Sequence, residues 1–220
     1  GYSCCEHTSS LPREKEDIAY AAQHGMWFCP THVVCKTLPD YVWNGKQLTE
    51  VEHFEDLPEC IRKRWEEENE VTCENYRKLG IKPDFQTIID RGRTFLEYSD
   101  RVMAGTDCPY AGVVPGFAMA DELESLVDAY GMTGYAALAA ATSRPAEYIG
   151  ISDQKGKLLP GLDSDLIVLE ENPLEAVGAV RKIHMVFQGE NVWAKETLDG
   201  FLKAAGKLTQ EEIEFIPLKI

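Results

Sequence analysis

The chain has 220 residues, enough for one large or two small domains, and 44% of them are hydrophobic, enough for a substantial core. Its 37 acidic residues against 22 basic ones give a net charge of −15, which argues against a nucleic-acid or anionic-membrane partner, because no basic field is available to meet phosphates. The apolar stretches fall short of the ~20 residues a membrane span needs, and no basic segment followed by an apolar one marks a signal peptide.

The chain starts at Gly1 without Met, which leaves room for a removed leader. Seven cysteines are scattered singly apart from Cys4-Cys5, with no C-x-x-C pair. That usage predicts reduced, mostly buried thiols in a cytoplasmic setting and offers no cysteine-built zinc site.

In chain order, Cys4-Cys5-Glu6-His7-Thr8 precedes a helical pattern in which Pro12 suits the first turn, Glu14, Glu16 and Asp17 favour the start, and Ile18, Ala21 and Ala22 form one face. Gly25 stops it, and Met26-Trp27-Phe28-Cys29 reads as a short buried strand halted by Pro30. Strand, helix and strand at this spacing make a βαβ unit. Residues 31–58 carry turn formers (Pro39-Asp40, Asn44-Gly45) and read as an irregular, loop-rich insertion. Tyr41, Trp43 and His53 either line a pocket there or only pack the insertion.

Pro58 to Leu79 is helical, with Glu66-Glu67-Glu68 as a solvated face, and a second helix runs from about Asp84 to Ser99. It leads into Arg101-Val102-Met103-Ala104-Gly105-Thr106-Asp107-Cys108-Pro109, an apolar run that reads as a buried strand ending in a carboxylate. Asp107 has two readings. Asp favours turns and helix caps for local hydrogen bonding; the mouth of a barrel strand is also where catalytic groups sit. Three helices follow, at Leu123–Tyr130, Gly134–Ala141 with Thr133 as cap, and from Pro145 to Gly150.

Beyond Gly150 the texture becomes β. Short strands are expected at Gly156–Gly161, Asp165–Glu170 and Val180–Gln188, with a hairpin through Gly189-Glu190-Asn191 into Val192-Trp193. Residues 194–220 read as a helical tail, in which Thr209-Gln210-Glu211-Glu212 has capping-box spacing.

The run from Ala141 to Glu175, with Leu158-Leu159-Pro160-Gly161-Leu162-Asp163-Ser164-Asp165-Leu166-Ile167-Val168-Leu169 at its centre, resembles the C-terminal signature of the metal-dependent amidohydrolase superfamily. Val186 to Val192 is similar to that family's final strand pair. Gly105-Thr106-Asp107 resembles its eighth barrel strand, and Cys5-Glu6-His7-Thr8 with Cys29-Pro30-Thr31 resembles strands six and seven of the imidazolonepropionase/prolidase-like branch.

The resemblance implies an α/β fold: the C-terminal part of a (β/α)8 TIM-type barrel over residues 1–150, with a helical insertion at about 32–80. Strands of a β-sandwich follow at 151–193 and the helical tail at 194–220. It further implies hydrolysis of a C–N bond in a dipeptide, cyclic amide or similar small substrate by metal-activated water. One or two divalent ions, zinc in most members, serve the complete enzyme. By position His7 becomes a metal ligand, and Asp107 both a metal ligand and the catalytic proton relay.

The family's His-x-His pair on strand one, its lysine or acid on strand four and its histidine on strand five do not lie in this chain, and zinc sites use three or more protein ligands. The remaining histidines, His24, His32, His53 and His184, do not repair that. The expectation is therefore a chain inactive and metal-free alone, whose partner is the missing N-terminal barrel half or a second copy. The alternative is a non-enzymatic remnant acting as an interaction module, or, if the signature is coincidence, an unrelated α/β binding domain.

Overall fold

A computed structural model describes residues 2–80, 82 and 84–214. Its first sheet is parallel. β1 (Cys4–Glu6) pairs with β2 (Trp27–Cys29), Cys5 opposite Phe28, through the crossover helix α1 (Lys15–Gln23). α1 begins after Glu14, so Pro12 lies outside it; Ile18 and Ala22, one turn apart, bury the inward face.

β2 is buried along its whole length because the chain packs on both faces. Its other edge is met by residues 101–103: Phe28 N–H donates to Arg101 O (2.9 Å) and Met103 N–H to Phe28 O (2.8 Å). The strand expected at 101–107 is thus reduced to a parallel bridge at Val102. Ala104 N–H, on the edge away from β2, donates to Ala140 O (2.8 Å) in the helix that follows, and Pro30, next along β2, has no N–H to continue the ladder.

The insertion departs from expectation. Residues 31–58 are not irregular throughout: α2 (His32–Val42) is an 11-residue helix that contains Pro39, followed by short 3-10 turns at 48–50 and 54–56. Side chains from elsewhere cap both ends of α2. Glu122 accepts from the backbone N–H of His32 (3.1 Å) and Val33 (2.9 Å), and Arg77 donates to Val42 O (3.0 Å). These groups satisfy some of the helix-end donors and acceptors that the local sequence leaves unmet.

α3 (Glu59–Leu79) then packs Trp65 and Cys73 into a cluster with Tyr41, Val42, Leu48 and Phe54. α4 (Phe85–Leu96), capped by Asp84, places Phe95 on Phe28 with ring centroids 5.1 Å apart. This pair anchors the main core with Ile18, Val102, Leu126 and Ala140.

α5 (Ala118–Asp128) carries Glu122 and Leu126 inward. α6 (Gly134–Ala140) is capped by Thr133 as its sequence predicts, and α7 (Ser143–Tyr148) follows. Residues 156–161 form bends and turns rather than a strand; Leu158 and Leu159 stay exposed, and among the described residues no strand pairs with them.

β3 (Leu166–Leu169), β4 (Ile183–Gln188) and β5 (Asn191–Ala194) make one antiparallel sheet in that order, with the expected hairpin between the last two. Among the described residues no second sheet faces it to make a sandwich. The tail holds α8 (Lys195–Ala205) and α9 (Gln210–Glu214). The capping box is formed: Thr209 N–H donates to Glu212 Oε2 (2.8 Å) and Glu212 N–H to Thr209 Oγ1 (3.3 Å). The rest of the predicted tail, 215–220, lies outside the described residues. No helix of the described residues is long and apolar enough to cross a membrane.

Candidate active site

The three parallel segments all point their C-terminal ends the same way, and chemistry-bearing residues lie just past each. His7 follows β1, half-buried, with its backbone N–H on Cys29 O (2.9 Å) and φ at +67°. Thr31 follows β2, 4% exposed, with φ at +48°. Its Oγ1 lies 2.7 Å from His7 Nδ1.

The third segment comes close at Gly105. A Cβ there would overlap Cys29 Sγ and stand 3.8 Å from Thr31 Cγ2, so the backbone needs glycine to approach. Asp107 lies two residues on, exposed, at φ +52°, a region that Asp tolerates better than most residues. Its charge reaches α2: burial chiefly, with the carboxylates of Glu122 and Asp107 adding, pushes the Cys35 thiol up to about 11.

A buried polar network lies behind these residues, and sequence reasoning missed it. Thr8 Oγ1 is 2.7 Å from Tyr130 Oη, which is 3.2 Å from His32 Nδ1. Burial drives the His32 imidazole down to about 4, with Lys36 adding. Glu122, with 0% exposure, is pushed up to about 7 by burial, against the pull of its two backbone N–H donors. None of these residues carries a local sequence signal. Thr8 and Thr31 do stand in the motifs Cys5-Glu6-His7-Thr8 and Cys29-Pro30-Thr31, but without a role of their own.

As donors for a metal ion, His7 and Asp107 offer an imidazole and a carboxylate, both suited to zinc. Of the thiols on β1 and β2, Cys4 is pushed up to about 12 and Cys29 higher still, chiefly by burial and with Glu6 adding. Among the described residues no group of three or more His, Cys, Asp and Glu is arranged to hold a metal. His7 and Asp107 are thus two candidate donors, fewer than the three or more protein ligands that a zinc site takes.

A cavity of about 440 Å³ lies elsewhere, between α2, residues 46–53 and α5. Tyr41 and His53 line it; Trp43, His7 and Asp107 do not. Tyr41 also packs the second core, and His53 stacks on Phe117 at 3.5 Å while bonded to Asp56 (2.7 Å). His24 caps α1 and bonds Tyr20 O, and His184 is an exposed residue of β4.

The model of the Amidohydrolase family matches residues 2–198. The chain belongs to the amidohydrolase family. Members of this family are generally metal-dependent. Amidohydrolase tasK of Hapsidospora irregularis is 42% identical over 101 residues, which are 46% of this amidohydrolase chain and 9% of that protein.

Bottromycin amidohydrolase superposes with a TM-score of 0.62 at 21% identity, covering 93% of this chain and 49% of that one. A Xaa-Pro dipeptidase solved with methionine in its active site gives 0.57 at 20% identity, covering 88% and 40%. The amidohydrolase chain thus spans under half the length of each of these relatives. At such identities the two structures speak for the shared TIM-barrel-related α/β fold.

Proposed function

We propose that this chain is the C-terminal part of a (β/α)8 amidohydrolase of the imidazolonepropionase/prolidase-like branch, contributing strands six to eight. It would hydrolyse a C–N bond in a dipeptide, cyclic amide or similar small substrate. The observation that carries this reading is the placement of His7, Thr31 and the Gly105–Asp107 turn beyond the ends of three adjacent parallel segments. The name of the dipeptidase relative favours a dipeptide within that class.

His7 Nε2 and the Asp107 carboxylate would supply two ligands to one or two divalent ions, zinc first among them. The other ligands, and the walls of the substrate pocket, come from an N-terminal barrel half or a second copy. A metal held there would polarise the scissile carbonyl and lower the pKa of water towards ~7. Asp107, open to solvent, takes the water's proton and passes it to the departing nitrogen.

The test is metal analysis and hydrolysis of proline-terminated dipeptides and cyclic amides by the complete protein that carries this sequence. Bound divalent metal, and turnover lost on Asp107→Asn with the fold intact, are expected. Absence of metal with His7 and Asp107 both present, or an Asp107→Asn variant of unchanged rate, refutes it. An inactive complete protein that still captures a partner would favour the non-enzymatic reading. The 220-residue chain by itself, with two donors, is expected to show no turnover.

A further inference from the structure

We propose that Thr31 is a positioning residue for His7: its hydroxyl accepts the Nδ1 proton, so that the imidazole keeps its Nε2 lone pair free for the site. The proposal rests on the reading of His7 as a metal ligand. It follows from counting protons.

A threonine hydroxyl has one hydrogen to donate and lone pairs to accept with. Pro30 O takes the Thr8 N–H (3.1 Å). The Thr8 hydroxyl is 3.2 Å from it but has Tyr130 Oη nearer, at 2.7 Å, which leaves the second lone pair of Pro30 O to Thr31 Oγ1 at 2.8 Å. Since a carbonyl oxygen can only accept, the Thr31 hydroxyl proton points there. Two oxygens at that distance without a proton between them would repel. Towards His7 Nδ1, at 2.7 Å, the same oxygen is then left as an acceptor. Nδ1 must carry the hydrogen, and in a neutral ring Nε2 does not. A hydrogen bond to the far ring nitrogen orients many metal-ligating histidines in this way.

Thr31 is held for this task from a distance. A β-branched residue at φ +48° is uncommon and persists where its surroundings over-determine it. Here the two backbone N–H groups that follow it, of His32 and Val33, both end on the Glu122 carboxylate. Pro30 O is fixed in turn by the Thr8 N–H (3.1 Å). The polar network behind the site therefore has an output: it sets the Thr31 hydroxyl, which sets the ring of His7.

The measurement is long-range ¹H–¹⁵N correlation on the full 220-residue chain labelled at histidine, at pH 8, where an unperturbed imidazole is neutral. His7 is assigned by loss of its signals in His7→Gln. The wild type is expected to show a protonated Nδ1 and an unprotonated Nε2. Thr31→Val, which keeps the shape and removes the acceptor, should move His7 to the Nε2–H form; Thr31→Ser should restore Nδ1–H. An Nε2–H ring in the wild type overturns the proposal without recourse to any variant, and so does an unchanged tautomer in folded Thr31→Val.

In the complete protein, Thr31→Val should weaken retention of Zn²⁺ against a chelator by about 10–100-fold, with Thr31→Ser close to wild type. Equal retention in Thr31→Val overturns the positioning role. Failure of the hydrolase reading has a different signature: no metal in the complete wild type, whatever the tautomer of His7.

Discussion

Replacing Glu122 by Gln tests the buried network most directly. In the folded chain burial raises this carboxyl from its ordinary 4.5 to about 7. The folded state therefore holds the proton more tightly than the unfolded state does. The stabilisation from the neutral form is complete below about pH 4.5 and is lost as the pH rises through 7. Converted through the linkage relation, the loss is on the order of 3 kcal/mol.

Gln has the same shape and no proton to lose, so subtracting the variant's unfolding free energy from that of the wild type cancels every other titrating group. That difference should rise by about 3 kcal/mol in favour of the wild type between pH 8 and pH 4.5. Urea unfolding across that range, followed by the fluorescence of the buried Trp27 and Trp65, gives the number. A difference that stays flat to within about 1 kcal/mol refutes the claim that the carboxyl is protonated near neutrality in the folded chain.

His32 should show the opposite sign in an overlapping window. Its folded pKa is lowered from 6.5 to about 4, so its contribution is complete above pH 6.5 and lost as the pH falls towards 4. The wild-type-minus-His32→Gln difference should drop by about 3 kcal/mol on acidification, and a constant difference would contradict the burial argument. Gly105→Ala should cost about 1–3 kcal/mol, because the added methyl overlaps Cys29 Sγ. Adding Cys29→Ala should recover part of that loss, and melting of the two single variants and the double variant checks the coupling.

Relatively little of the candidate site could be read ahead of the fold. His7 and Asp107 stood out because each sits in a short motif at the spacing of a family pattern. Thr31, Glu122 and Tyr130 stood out only once the chain was folded. Glu122 belongs to no motif in the sequence, yet it is wholly buried, with the backbone donors of a helix 90 residues earlier as its partners.

What the sequence determined by itself is local. α1 and α4 follow from apolar residues at helical spacing, the caps at Asp84, Thr133 and Thr209 from side chains within reach of their own first turn, and the β4–β5 hairpin from Gly189-Glu190-Asn191. Tertiary structure decided what depends on partners far along the chain. α2 exists where turn formers suggested a loop because Glu122 and Arg77 satisfy its two ends. The segment at 101–104 keeps one bridge to β2, where Pro30 offers no N–H to extend the ladder, while its other edge is met by Ala140 O; among the described residues no strand pairs with 156–161. A backbone donor or acceptor must be met, but which group meets it is settled only when distant parts of the chain are brought together.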